Sequence, residues 1–213
     1  MDTNYRIAYN QGWKDLKKKI PEEVASRLSV AYSASSGQFH VTFFGCEYIL
    51  DCNDETIKRK ADGRVPDITA SIIMLNYLSF SESTPRPVNK WVSLKEIPNG
   101  GVLFYPAFHK SAIKDLTDTF GQRPEQLVNC AAALGGQPAA MGSVSAVFHA
   151  FPEIPLCVVI WEGDEEVKAN ATILYDPSIA HLLHIESLIG LGMYLSTKLK
   201  QLAVSNHLNN GAI

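Results

Sequence analysis

The sequence predicts an α+β fold, a single domain in which antiparallel hairpins pack against several helices. Three observations carry that expectation. Runs rich in β-branched and aromatic residues come in pairs around turn residues, as Gln38–Phe44 and Glu47–Leu50 do around Gly45. Other stretches, Asp67–Phe80 and Ile185–Val204 above all, repeat apolar residues at three- and four-residue steps and read as helices. Strands and helices follow no regular βαβ alternation, which argues against a doubly wound sheet.

In chain order, Trp13, Leu16, Ile20, Val24 and Leu28 mark a helix over residues 13–30, with Pro21 breaking it and starting its second piece. The hairpin around Gly45 follows, and residues 53–66, polar and carrying Gly63 and Pro66, read as a loop. Asp67 is placed to cap the helix that runs to Phe80, whose stripe is Ile68, Ile72, Leu75 and Leu78. Residues 81–89 hold two prolines and are where an internal boundary would fall. Trp91–Leu94 and Val102–Tyr105 read as short strands around the Asn99-Gly100-Gly101 turn. Ser111–Phe120 and Pro124–Leu134 read as helices, the second ended by Gly135-Gly136. Gly135–Gly142 reads as a loop, and Ser143–Ala150 is a short apolar segment that periodicity leaves ambiguous. Leu156–Trp161 and Ala171–Tyr175 form a second hairpin around an acidic turn, and Asp176-Pro177 starts a helix. A disordered tail is expected over residues 205–213.

Composition narrows the function classes. The 213 residues are 46% hydrophobic and 19% charged, enough for a substantial core. A net charge of −3 lacks the basic footprint of a nucleic-acid binder, and Lys14 with Lys17–Lys19 reads as a solvated helix face. No signal-peptide pattern and no apolar run of membrane-spanning length appears, so a cytoplasmic protein is expected. Four cysteines without CxxC spacing form neither a disulfide framework nor a zinc site.

The densest chemistry is the acidic turn Glu162-Gly163-Asp164-Glu165-Glu166 beside Trp161. Glu162, Asp164 and Glu166 fall on one face if the strand continues, where they would hold a divalent metal or supply a general acid and base. A hairpin tip built for solubility accounts for the same residues. His181 and His184 stand three apart, so they stack on one face of a continuous helix and could join those carboxylates as metal ligands. His109 follows the aromatic run Phe104, Tyr105 and Phe108 and is placed over a pocket. No GxSxG, HExxH or phosphate-loop pattern is present.

Several of these motifs occur together in an order that resembles domain-of-unknown-function family 3786. They are Phe43-Phe44-Gly45 with Tyr48, Trp91–Leu94, Ala133–Gly136, Pro152–Leu156, Trp161–Glu166, Ile173–Asp176 and Glu186. The resemblance covers residues 25 to 200 and implies an uncharacterised protein of anaerobic bacteria and archaea. Members resemble companions of corrinoid-dependent methyl-transfer systems, and some carry a cysteine-rich segment of iron–sulfur type that this chain lacks. The chain departs from the pattern at Gly142-Ser143, where Gly-Asp is expected, and at Val167-Lys168, where Phe-Pro is expected.

Two function classes and a third remain open. One is a non-enzymatic accessory protein binding a small molecule or cofactor, with a corrinoid or other tetrapyrrole as its sharpest version. Its pocket would be lined by Phe104, Tyr105, Phe108 and Trp161, with His109 or His184 as lower ligand. The second is a metal-assisted hydrolase using Glu162, Asp164 and Glu166, completed by His181 or His184. The third is a scaffold subunit whose acidic hairpin docks a basic protein partner.

Overall fold

A computed structural model of the chain describes residues 3–81, 84 and 86–210, with side-chain environments through residue 206. It shows an α+β architecture of two antiparallel sheets and a helical layer. Two helices open the chain, α1 (Thr3–Leu16) and α2 (Pro21–Leu28). Pro21 sits in the first turn of α2, where its missing N–H costs nothing. α1 starts well before the predicted residue 13, because its polar first half has no apolar stripe to announce it.

The first sheet has the order β1 (Ala31–Ser33), β2 (Gln38–Phe43), β3 (Cys46–Asp51), β4 (Thr56–Arg59). β4 falls where a loop was expected. It is an edge strand that buries Ile57 and turns polar residues outward. The β2–β3 turn places both Phe44 (φ 45°) and Gly45 (φ 72°) in the left-handed region, as a two-residue hairpin requires. Phe44 is held there because its N–H donates to the Ala150 carbonyl (2.9 Å) and its ring stacks on Tyr194. That turn joins the first sheet to the second.

α3 (Ile68–Phe80) starts as predicted, with the Asp67 carboxylate accepting the Ala70 N–H at 2.9 Å. The second sheet has the order β5 (Val92–Ser93), β9 (Asn170–Tyr175), β8 (Ile154–Trp161), β7 (Val144–Phe151), β6 (Gln137–Ala139). The unassigned segment around Ser143–Ala150 is therefore β7, and β6 replaces part of the expected loop after Gly135-Gly136.

Val102–Tyr105, expected as a strand, belongs to helix α4 (Gly101–Phe108). A short, wholly apolar run carries no periodicity to separate the two states. α4 continues without a break through a π-helical turn (His109–Ile113) into α5 (Lys114–Phe120), and α6 (Gln126–Ala132) follows. Asp176-Pro177 starts a 3-10 turn (Pro177–His181), and the last helix, α7, runs Ile185–Asn210. The expected tail is thus helical as far as Asn210, and residues 211–213 lie outside the described residues, as do 82, 83 and 85 of the proline segment.

α7 lies at the centre of the helical layer, with Leu188, Leu191, Leu195 and Leu199 fully buried at three- and four-residue steps. The apolar core is one cluster that draws residues from both sides of the 81–89 segment. No helix of the described residues is long and apolar enough to cross a membrane.

Candidate functional site

The acidic turn is an eight-residue loop between β8 and β9, and its backbone is pinned from several directions. The Asp164 carboxylate accepts the N–H groups of Glu166 (2.8 Å) and Val167 (2.7 Å), which holds it below the usual carboxylate range. Gly163 donates to the Gly121 carbonyl (3.2 Å), and a Cβ on Gly163 would meet the Ala169 nitrogen at 2.5 Å. Ser143 Oγ accepts the Glu162 N–H at 2.9 Å. Serine at the position where the resemblance leads one to expect aspartate thus still supplies an acceptor oxygen.

One oxygen of Asp164 is spent on its own loop, while Glu162, Glu165 and Glu166 extend into solvent. His181 closes the 3-10 turn and His184 precedes α7, so the break between them removes the shared helix face. Among the described residues no three His, Cys, Asp or Glu side chains come together in an arrangement fit for a metal ion. Glu162, Asp164, Glu166 and His181 are not brought together.

The aromatic residues are separated as well. Phe108 is buried against Gly192 of α7, where a Cβ would stand 2.8 Å from its ring. Tyr105 is half-buried beneath the Lys95 ammonium (4.2 Å to the ring centroid) and tilted against His109 (5.8 Å between centroids). Trp161, 42% exposed, stands beside the acidic loop instead. That loop meets Gly121, just past the end of α5, whereas Tyr105 and His109 lie toward the other end of the same continuous helix. The His184 ring packs edge-on against Phe80 (5.7 Å), and its backbone N–H donates to Asn76 Oδ1 (3.0 Å).

Two of the motif carboxylates, Glu153 and Asp176, are held in hydrogen bonds that serve the fold. Glu153 accepts the Tyr77 hydroxyl at 2.8 Å, and burial, reinforced by that carboxylate, pushes the Tyr77 phenol up. Asp176 is buried and accepts three backbone N–H groups, from Val88 (3.1 Å), Asn89 (2.7 Å) and Ser178 (2.9 Å). Burial opposes its ionisation, but these hydrogen bonds prevail and lower its pKa. Cys157 is buried in β8, which pushes its thiol up to about 12 and keeps it protonated.

The candidate site is elsewhere, in a groove of about 730 Å³ between α1, α3 and α7. α1 meets α3 closely at Gly12, beside Leu75, while its first half stays exposed and forms one wall. Ile72, Ile73, Ile189 and Met193 line the groove with apolar surface, together with Tyr194. At one end Lys198 pairs with Asp67 (3.1 Å) and lies over the Tyr194 ring (5.0 Å). At the other, Glu186 is exposed and makes no hydrogen bond or ion pair among the described residues. A second depression of about 520 Å³ shares Asn4, Ala8, Ile72, Glu186 and Ser187 with the first and extends the trough to His184.

Gly190 opens onto this groove. A Cβ there would meet a single atom within 4 Å, Ile73 Cδ1 at 3.9 Å, so packing does not require glycine. Glycine inside a helix costs about 1 kcal/mol relative to alanine. Sequence reasoning missed the groove because its residues come from three separated helices. The signal available was Gly190 itself, a poor helix former in the middle of an otherwise strong helix.

No protein of curated function and no solved structure matches the chain. A family model matches residues 21–198, most of the chain and every element from α2 into α7. By that match the chain belongs to the family described as Domain of unknown function (DUF3786).

Proposed function

We propose that this protein is a non-enzymatic accessory protein that binds a small molecule in the α1–α3–α7 groove. The observation that carries this is Gly190, which leaves the floor of an apolar, ligand-sized groove open where no neighbour demands it. Grooves of several hundred Å³ with apolar walls and a few polar groups at the rim are the usual form of small-molecule sites. Glu186 and the Asp67–Lys198 pair provide that rim.

A tetrapyrrole such as a corrinoid is the sharpest version. His184 borders the trough and its imidazole makes no hydrogen bond among the described residues, so it is the histidine available as an axial ligand. His109 borders neither depression of the trough.

The test is native mass spectrometry of protein purified without oxygen or chelator, followed by titration with hydroxocobalamin and with haemin. One equivalent of added mass, or a saturable spectral change, is expected in the wild type. Gly190→Leu fills the groove and should abolish it while the protein stays folded, and His184→Ala should change the spectrum of a bound tetrapyrrole. A bare mass with no saturable change from either probe overturns the tetrapyrrole version. Ligand retention by Gly190→Leu overturns the groove as the site.

A further inference from the structure

α4 is apolar on its solvent side as well as its buried side. Phe108 enters the core, but Val102, Leu103, Phe104, Pro106 and Ala107 are exposed, Leu103 at 76%. A surface helix normally keeps its apolar residues on one stripe, and a contiguous exposed group of this kind marks a contact surface. The charges along α4 are basic, and Glu96 beside Lys95 is engaged by its own backbone, accepting the Ser93 N–H at 2.9 Å. Lys95 lies over Tyr105, Lys110 is exposed on the next turn, and no acidic residue occurs between Glu96 and Asp115.

A complementary surface exists on the same chain. The end of β8 and the loop after it carry exposed apolar groups, Trp161 (42%) and Val167 (63%), among four carboxylates and one lysine, Lys168. Glu162, Glu165 and Glu166 have no side-chain partner among the described residues. The two surfaces stand at opposite ends of one helical rod. Gly101 opens it, and Gly121, just past its other end, receives the Gly163 N–H. Leu103 stands 18 residues from Gly121, about 27 Å at 1.5 Å per residue, and even Phe108 about 20 Å, so the loop anchored at Gly121 does not cover the exposed face of α4 within one chain.

We infer that α4 of one copy receives the Trp161–Val167 loop of a second copy. Basic flanks on an apolar helix meet a loop with matching apolar groups and opposite charge. An anionic membrane is the poorer occupant, because the chain carries a net charge of −3. One contact leaves the pair with one free α4 and one free loop, so association closes as a reciprocal dimer or a larger ring, or continues as an open chain. One short helix and one loop make a small interface, so the association is weak and concentration-dependent.

Sedimentation velocity of the full chain over a concentration series tests this, with Leu103→Glu and the double variant Glu165→Lys/Glu166→Lys. All three positions are exposed, and circular dichroism confirms that each variant is folded. The wild type should gain mass with concentration at low salt and lose that gain at about 0.5 M salt, where exposed charges are screened. Each variant alone should remain monomeric. Mixed one to one, they should form a dimer and nothing larger, since one intact α4 meets one intact loop. A wild type that stays monomeric, variants that associate alone, or a mixture that stays monomeric overturns the inference. Co-sedimentation of monomeric wild type, but not Leu103→Glu, with phosphatidylserine vesicles would assign α4 to a membrane and overturn it equally.

Discussion

Gly192 and Gly190 lie two positions apart on α7 and are glycine for opposite reasons. At Gly192 a Cβ would enter contact distance of the Tyr175 hydroxyl and stand 2.8 Å from the Phe108 ring, so the packing of β9 and α4 against α7 requires its absence. At Gly190 the same atom would project into an open groove. One face of the helix is closed by its neighbours and the other is left unfilled. Where structure consumes every atom a residue's role is packing, and where structure leaves room a ligand can enter.

Gly192→Ala breaks the comparison on its closed side and has the largest expected effect. Overpacking of a rigid core site costs up to about 3 kcal/mol, and Tyr175, fully buried with a hydroxyl that has no hydrogen-bond partner among the described residues, has no route of retreat. A drop of roughly 10 °C in Tm is expected from thermal unfolding. A Tm within a degree or two of wild type would show that the closed face is not closed.

Asp176 sharpens the same side, because it fixes the strand end that carries Tyr175. Asp176→Ala leaves three N–H groups without their acceptor and should cost about 2 kcal/mol. The folded carboxyl titrates below its ordinary value, so its contribution is complete above about pH 4 and disappears as pH falls through the lower folded value. Urea unfolding between neutral and acid pH should show a larger loss of stability in the wild type than in the alanine variant, whose other lowered carboxylates still titrate. Parallel pH curves for the two proteins would refute the anchoring role.

Gly190→Ala tests the open side. With no clash to offset it, the gain in helix propensity should raise stability by about 1 kcal/mol, or Tm by about 2–4 °C. A loss of stability would mean that the groove is filled by packing and that glycine there is structural after all.

The sequence makes one side of this contrast far more legible than the other. The hairpin around Gly45, the Asp67 cap, and the strands on either side of the acidic turn carry strong local signals, and each appears where expected. α4 was legible only as an apolar run, since eight residues including Pro106 show no usable periodicity. β4 hid as an edge strand with a single buried side chain, Ile57. The groove was not legible because its walls lie on three helices distant in sequence and its defining feature is a missing side chain. Periodicity shows both α7 glycines as interruptions, and only three-dimensional neighbours tell them apart.

The acidic loop repeats the contrast between consumed and free groups on a smaller scale. Asp164 shapes the loop by accepting two backbone N–H groups, while Glu162, Glu165 and Glu166 do no such work. Asp164→Asn keeps an acceptor oxygen and should leave the loop unchanged. Asp164→Ala should speed amide exchange at Glu166 and Val167 with little change in Tm, because the carboxylate is fully exposed to solvent. The same exchange should accelerate in the wild type once pH falls below the lowered Asp164 value, beyond the intrinsic pH dependence recorded with Asp164→Asn. Equal protection in the alanine variant and the wild type would return Asp164 to the free carboxylates, available to a ligand or a partner.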